Sequence, residues 1–480
     1  MDQQGKQVGQ DERSVLGIIT SHWVSAIGAG LVTVAACTWF LLLVTKLGAR
    51  ESNPYVGILI FFVVPGVFFA GLALIPAGAY LARRRIAAGL AIAADRRTTL
   101  RRLALFVGLM TLVNLVIGSQ LSYRAVAHME SNQFCGQSCH VMNPQFIAAE
   151  RSEHRGADCV ACHVVPGAVG FLKAKANGTN QMIEVVRDAY PKPLPAALTT
   201  NKLAPSAETC EQCHSRKAVS APRVRVISHF KEDEANTRLE TILVMKILGG
   251  RMGGIHGAHM GPGVEIRYRS TDGRRLEIPW IEARNAKGQT ETWLAEGAKD
   301  PGGTTVLMEC ADCHNRTGHA FELPENAVDA AMANGRILPG LPFSRKTSVQ
   351  VLKGAYADGD DAARQIPEAF TDFYRQAYPK LATERRGNIE AAGKVLAEIY
   401  RNNVFVDLGV KWGSYPNNLS HADNTGCFRC HDGNHAPTGG TNRDPAAMSQ
   451  DCNSCHQMLA TDEGSPEIMQ TLGLAYREVK

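Results

Sequence analysis

Six cysteine pairs, each followed at once by a histidine, constrain this chain more than any other feature. Five read C-x-x-C-H and the first reads C-x-x-x-C-H. In such a motif the two thiols form thioethers with the haem vinyl groups, and the histidine gives the iron one axial nitrogen. The cysteines are Cys135, Cys139, Cys159, Cys162, Cys210, Cys213, Cys310, Cys313, Cys427, Cys430, Cys452 and Cys455, and the histidines are His140, His163, His214, His314, His431 and His456.

Zinc sites and disulfides are the alternative explanations for so many cysteines. A zinc ribbon uses C-x-x-C pairs at a fixed spacing, whereas the spacing between these motifs is irregular. A disulfide framework does not require a histidine after the second cysteine. Since the motifs use twelve of the 13 cysteines, the sequence predicts a multihaem cytochrome c with six covalently attached haems.

Three long apolar stretches predict a membrane anchor over residues 1–125. They run over about Val24–Val44, Tyr55–Leu81 and Leu103–Leu121, and none contains a charged residue. Each reaches the roughly 20 residues with which a helix crosses a bilayer. The first stretch is long and lacks a small-residue cleavage site, so we expect it to remain as an anchor.

Basic residues predict the orientation of the anchor. The loop between the second and third stretches carries seven arginines against only Asp95. Such loops stay in the cytoplasm, which places the N-terminus inside and everything after about residue 122 in the periplasm. Haem is attached on the outer face of the bacterial inner membrane, so orientation and motifs agree. The net charge of +5 comes mostly from this loop and does not indicate nucleic-acid binding.

The outer part is predicted to be mostly helical or irregular, with a small β insertion. Alternating residues in Val264–Arg269, Leu276–Ile281 and Thr290–Trp293 predict antiparallel strands, with Pro279 on an edge strand. Apolar spacing predicts helices over Asp361–Tyr374 and Leu381–Tyr400. The predicted segments are 126–220 with the first three motifs, 221–300 as the insertion, 301–323 with the fourth motif, 324–405 as a helical connector and 406–480 with the last two motifs.

Other histidines supply candidates for the second axial ligand that electron-transfer haems need. Eight lie outside the predicted membrane spans, which exceeds the number required. The preferred candidates near motifs are His154, His319, His421 and His435. His256 and His259 share the Gly-Ile-His-Gly-Ala-His segment, where we expect one ligand and select His259. Met142 is a candidate for the first motif. No motif has lysine in place of histidine, and six closed irons favour electron transfer over a terminal reductase.

The surroundings of several motifs resemble the NapC/NirT family of membrane-anchored quinol dehydrogenases. The resemblance covers about residues 103–323 and rests on Phe134–Pro144, Ser152–Arg155, Cys159–Gly167, Lys173–Gly178 and Cys310–His319. In that family the first haem lies beside a quinol pocket at the membrane. The resemblance implies ligand roles for Met142, His154 and His319, and it places Lys173 or Lys175 in the quinol site.

Three departures from the family pattern matter. The first motif has an extra residue between its cysteines, and Asn180 and Gln181 stand where small members carry an acidic residue. The chain also adds two membrane helices, the insertion and two terminal haem motifs. These additions, with Trp412–Asn418 and Cys427–His435, are similar to larger inner-membrane cytochromes of metal-respiring bacteria.

We therefore expect an inner-membrane quinol dehydrogenase. It would oxidise menaquinol at the periplasmic face and pass electrons through its haems to a periplasmic cytochrome or terminal reductase. The alternative is an electron-wire subunit of a larger membrane complex, without a quinol site of its own. The absence of the acidic residue at 180–181 favours this alternative.

Overall fold

The computed structural model describes residues 22–46, 63–89, 96–196, 203–215, 217–300, 302–438 and 448–474. Two compact units divide the chain, Met1–Ser138 and Cys139–Lys480. The first unit contains the helices α1 (Trp23–Lys46), α2 (Val64–Ala87) and α3 (Arg96–Met129). All three are long and apolar enough to cross a membrane, as predicted. The predicted start of the second span, Tyr55, lies outside the described residues.

Small residues bring α1 and α2 together. Gly28 and Gly71 lie so close that a Cβ atom on Gly28 would stand 2.7 Å from the Gly71 carbonyl oxygen. Ser25 is fully buried and donates a hydrogen bond of 2.9 Å to the Ile75 carbonyl. Without a hydrophobic driving force inside lipid, such close backbone approach and interhelical hydrogen bonds stabilise helix pairs.

The second unit contains twelve helices among its described residues, most of them short. The helices that carry haem motifs are single turns of four or five residues. The helices are α4 (Asn143–Ala149), α5 (Cys159–His163), α6 (Ala168–Val186), α7 (Gly254–Met260), α8 (Cys310–Cys313), α9 (Pro324–Ala333), α10 (Ser344–Leu352), α11 (Gly359–Ala377), α12 (Pro379–Glu384), α13 (Arg386–Asn403), α14 (Cys452–Cys455) and α15 (Glu467–Thr471).

Two antiparallel sheets join the insertion to the C-terminal segment. The first has the order β1-β2-β8 and the second the order β6-β3-β4-β5-β7. The last two strands belong to 406–480, so the predicted segments 221–300 and 406–480 share both sheets. The strands are β1 (Arg223–Phe230), β2 (Arg238–Met245), β3 (Glu265–Arg269), β4 (Trp280–Arg284), β5 (Thr290–Ala295), β6 (Val306–Leu307), β7 (His435–Pro437) and β8 (His456–Glu463).

The strand predictions need two corrections. The predicted strand Leu276–Ile281 is β4, which begins only at Trp280 and lies in the centre of its sheet. The edge position predicted for Pro279 is therefore wrong. Pro279 precedes the strand, where its missing N–H removes no ladder hydrogen bond, and its carbonyl accepts from Ala295 N at 3.0 Å. The β1–β2 hairpin was not predicted.

The helical connector has a hydrophobic core of its own. Ala362, Ile366, Phe370 and Tyr374 recur every four residues along α11 and are all buried. They pack with the buried faces of α9, α10 and α13, and Phe230 of β1 joins the same cluster. The predicted helix over Asp361–Tyr374 is confirmed. The second predicted helix is divided at Arg385 into α12 and α13.

Candidate haem-binding sites

Each motif after the first places its two cysteines in a single helical turn. We number the motifs as sites 1 to 6 in chain order. Sites 2, 4 and 6 use α5, α8 and α14, whereas sites 3 and 5 use the 3₁₀ turns Cys210–Gln212 and Gly426–Arg429. Residues three apart lie on the same side of such a turn, about 5–6 Å between Cβ atoms. The geometry therefore presents two thiols on one side, as attachment to one haem requires.

The motif cysteines do not pair with one another. None of the twelve forms a disulfide. No group of three or more histidine, cysteine, aspartate or glutamate side chains converges as a zinc site would require, within the part of the chain that the structure describes. Burial raises the pKa of Cys313 to about 11 and that of Cys430 to about 12.

Five of the six motif histidines face a second histidine. Two imidazoles on opposite sides of one iron have ring centroids about 6 Å apart, because each metal–nitrogen bond is about 2 Å and each nitrogen lies about 1 Å from its ring centre. The observed separations of 5.8 to 6.2 Å fit that arrangement. The pairs are His163–His319 at 6.1 Å, His214–His154 at 6.0 Å, His314–His256 at 6.1 Å, His431–His259 at 5.8 Å and His456–His421 at 6.2 Å.

Local hydrogen bonds orient two of these rings. His259 Nδ1 lies 2.7 Å from the Ile255 carbonyl, and His431 Nδ1 lies 2.9 Å from the Ser449 carbonyl. A histidine that binds a metal through one nitrogen usually donates the other N–H in this way. Burial lowers the pKa of His259, and it lowers that of His319 to about 4. The neutral imidazole, which is the form that binds metals, is therefore favoured at both positions.

The structure agrees with some of the predicted second ligands and differs at others. His154, His259, His319 and His421 each face a motif histidine. His256 faces His314 as well, so the glycine-rich segment provides two facing histidines where one ligand was expected. The sequence feature that indicates His256 is its position three residues before His259 in the same glycine-rich segment.

His435 occupies a different environment. Its Nδ1 lies 2.8 Å from Asp432 Oδ1 and its Nε2 lies 2.7 Å from the Ile278 carbonyl oxygen. Both ring nitrogens are thus engaged, and the side chain is 2 % exposed. This geometry argues against the predicted ligand role, because neither nitrogen remains for iron. His435 instead joins β7 to the residue before Pro279.

Site 1 differs from the other five. His140 and Met142 lie in the 3₁₀ turn His140–Met142, whose backbone is held by a hydrogen bond of 2.9 Å from Met142 N to the Cys139 carbonyl. Among the described residues of the second unit, no other histidine ring faces His140. Met142 remains the predicted second ligand at this site.

The predicted quinol-site lysines lie on α6. Lys173 is exposed, and the Lys175 ammonium lies 4.9 Å from the centre of the Phe171 ring. Most of the helix surface is exposed, including Val169, Leu172 and Val186. The helix therefore combines ammonium groups with uncovered apolar side chains.

A buried polar cluster that was not predicted from the sequence lies between sites 4 and 5. Asp312, inside the fourth motif, accepts hydrogen bonds from Tyr268 Oη and, at 3.3 Å, from Arg275 Nη1. Arg429, inside the fifth motif, donates to the Asp312 carbonyl at 2.8 Å and to the Arg275 carbonyl at 3.0 Å. The sequence feature that could have indicated this cluster is a charged residue between the two cysteines of motifs 4 and 5, Asp312 in the fourth and Arg429 in the fifth.

Comparison with known proteins places these sites in a family. Residues 97–238 match the model of the NapC/NirT cytochrome c family, N-terminal region. Over 466 residues the chain is 32% identical to the cytochrome c-type protein ImcH of Geobacter sulfurreducens, an alignment covering 92% of this chain and 89% of that protein. No solved structure matches the chain significantly. These similarities show that the chain belongs to the NapC/NirT family, as a membrane-anchored multihaem cytochrome c with covalently attached haem.

Proposed function

We propose that this protein is a hexahaem quinol dehydrogenase of the bacterial inner membrane. It oxidises menaquinol at the periplasmic face, releases the two protons there and passes the two electrons to a periplasmic cytochrome or terminal reductase. The bound haems supply one-electron redox chemistry. The chain itself supplies the attachment thiols, the axial ligands and the surroundings that set each reduction potential.

The five histidine pairs support the electron-transfer part of this proposal. In each, the motif histidine and the facing histidine would together hold one haem iron: His319 at site 2, His154 at site 3, His256 at site 4, His259 at site 5 and His421 at site 6. Site 1 would use His140 and Met142. Five irons closed by two imidazoles leave no open position for a small substrate, which favours electron transfer over terminal reduction.

We assign quinol binding to α6. Lys173 and Lys175 offer cationic donors for the quinol oxygens, and the exposed side chains of Val169 and Leu172 offer an apolar surface for the ring and tail. A positioned lysine also serves as an acid–base group for the departing protons. The arginine-rich segment between α2 and α3 favours a cytoplasmic loop and thus a periplasmic haem domain.

One observation favours the second candidate, an electron-wire subunit that receives electrons from a quinol-oxidising partner. Asn180 and Gln181 replace an acidic residue that small family members carry near the quinol site. Neither side chain can act as a proton acceptor at neutral pH. In this case α6 has no quinol to bind, and its lysines do not affect electron entry.

Anaerobic reduction of the detergent-purified protein separates the two candidates. A reduced menaquinol analogue is added, haem reduction is followed by absorbance, and the haem content of the same sample is measured. We expect six haems per chain and rapid reduction. Replacing Lys173 and Lys175 together by alanine should slow quinol-dependent reduction by about 100-fold, the lower end of the contribution of a positioned acid–base group.

Dithionite provides the control for that experiment. It should reduce the double variant at the unchanged rate, and Lys380→Ala, whose side chain is 90% exposed on α12, should behave as the wild type with quinol. Six haems that dithionite reduces and quinol does not, in the wild-type protein, would reject the dehydrogenase in favour of the wire subunit.

A further inference from the structure

We propose that α7 and Arg429 hold sites 4 and 5 as one coupled pair of haem sites, with the positive charge of Arg429 acting on both. This inference rests on the ligand assignments of the proposed function and extends them to the order of the sites in space. Two separate parts of the chain connect sites 4 and 5. One is the helix α7, which carries His256 and His259, and the other is the side chain of Arg429.

The first connection is the helix α7. His256 faces the site 4 histidine at 6.1 Å, and His259 faces the site 5 histidine at 5.8 Å. Residues three apart on a helix are neighbours, with Cβ atoms about 5–6 Å apart. One helical turn therefore carries a ligand for each of two sites, which places these sites side by side.

The backbone around α7 is firmly held. Ile255 N donates to the Lys246 carbonyl at 2.9 Å, and His256 N donates to the Ile247 carbonyl at 3.0 Å. Gly254 has a φ of +66°, and a Cβ atom there would lie 2.5 Å from the Lys246 carbonyl oxygen. Only glycine suits this approach, so the position of the ligand turn against the end of β2 is fixed.

The second connection is Arg429. This residue is 8 % exposed and lies between the two cysteines of site 5, while Asp312 is 2 % exposed and lies between those of site 4. Arg429 donates to the Asp312 carbonyl at 2.8 Å, to the Arg275 carbonyl at 3.0 Å and to the Gly426 carbonyl at 2.9 Å. A single buried side chain thus links the two attachment peptides directly.

The charges in this cluster are arranged asymmetrically. The Asp312 carboxylate is paired with Arg275, at 3.3 Å, and with the Tyr268 hydroxyl. The hydrogen bonds of Arg429 go instead to backbone carbonyls, which carry no net charge. A buried charge is screened far less than an exposed one, so Arg429 favours the reduced state of both neighbouring sites.

Phe428, the other residue between the two cysteines of motif 5, connects site 5 to site 6. The Phe428 ring stacks on His421 with centroids 4.3 Å apart and an interplanar angle of 11°. His421 in turn faces His456 at 6.2 Å. The order is therefore site 4, site 5, site 6.

The test first identifies the two sites spectroscopically and then perturbs their connection. His256→Met and His259→Met each exchange one axial ligand, so each should change one low-spin component of the electron paramagnetic resonance spectrum, and the two components should differ. Haem content should stay at six, since attachment uses the cysteines. Arg429→Gln should then lower the reduction potentials of these same two components in a redox titration and leave the others in place.

Two further variants complete the design. Arg429→Lys retains the positive charge. The reduction potentials of sites 4 and 5 should therefore lie closer to the wild-type values in this variant than in Arg429→Gln. If the glutamine variant does not assemble, the lysine variant is compared with the wild type instead. Arg364→Gln, with a side chain 70% exposed on α11, should shift no potential.

Several outcomes would overturn the inference. These are a shift in only one marked component, an equal shift in all components, or lysine and glutamine variants with the same potentials. Failure of the ligand assignment is a different result, because His256→Met or His259→Met would then leave every low-spin component unchanged.

Discussion

Ring nitrogens decide which histidines remain able to bind iron. His259 and His431 each place Nδ1 against a backbone carbonyl, which leaves Nε2 for the metal. His435 places both nitrogens in hydrogen bonds inside the protein. Closeness to a motif in sequence does not separate the histidines that can bind iron from His435. One of its hydrogen-bond partners is the carbonyl of Ile278, 157 residues away in the chain.

Replacing His421 by alanine should open site 6 without releasing its haem. We expect six haems per chain, of which five remain low-spin and one becomes high-spin or binds an exogenous ligand such as imidazole. Electron paramagnetic resonance of the oxidised protein measures this change. An unaltered set of low-spin signals would contradict the assignment of His421.

Replacing His435 by glutamine should have the opposite pattern. All six sites should keep their spin state, since His435 binds no iron in this account. The free energy of unfolding should fall by about 1–3 kcal/mol for each buried hydrogen bond that is left unmade. Denaturant unfolding followed by circular dichroism checks this, and a new high-spin signal would show that His435 is a ligand after all.

Among the helices and strands, the helices are predictable because their apolar residues recur at regular spacing. The α1 and α3 helices, and the four-residue spacing in α11, follow from local patterns of apolar residues. The sheets were harder, because β2 pairs with β8 and β5 pairs with β7 across long stretches of chain. No local pattern shows that the strand starting at His456 completes a sheet begun at Arg223.

Truncating a core residue of α11 should destabilise the helical connector and leave the haem sites unchanged. Phe370 is fully buried in that core. Phe370→Ala should lower the free energy of unfolding by about 3–5 kcal/mol, through lost burial and the cavity left behind. The exposed neighbour Glu368→Ala should change it by less than about 0.5 kcal/mol. Equal stabilities of the two variants in denaturant would contradict the observed packing.

The α1–α2 pair offers a second matched comparison. A Cβ atom on Gly78 would lie 2.3 Å from Ser25 N, whereas one on Gly66 meets nothing within 4 Å. Gly78→Val should therefore destabilise the anchor by about 1–3 kcal/mol or more, from overpacking. Gly66→Val, in the same helix, should have little effect. Thermal unfolding in detergent compares them, and similar midpoints would show that the two helices do not pack closely at Gly78.

The sequence correctly predicts the family of the protein, whereas it does not predict which histidines face each other. Each facing histidine is separated from its motif by intervening chain, as with His163 and His319. The fold brings them together through sheets and turns that local patterns do not encode. The family resemblance points to His154 and His319, which both face motif histidines, but it does not point to His256.

Orientation in the membrane is a property of the whole chain and is testable by reporter fusions. A reporter active only in the periplasm should be inactive when inserted after Gly89, in the arginine-rich loop, and active when fused after Leu474. A cytoplasmic reporter should give the reverse. Activity of the periplasmic reporter at Gly89 would invert the proposed topology.

In the proposed assignment, two imidazoles hold each of five irons, and a histidine and a methionine hold the iron of site 1. Low-temperature magnetic circular dichroism in the near infrared measures it directly, because the two ligand sets give distinct charge-transfer bands. On the oxidised full-length protein, with haem content determined in parallel, we expect bis-histidine and histidine–methionine haems in a ratio of five to one. A substantial high-spin fraction, or two or more histidine–methionine haems per chain, would contradict the account.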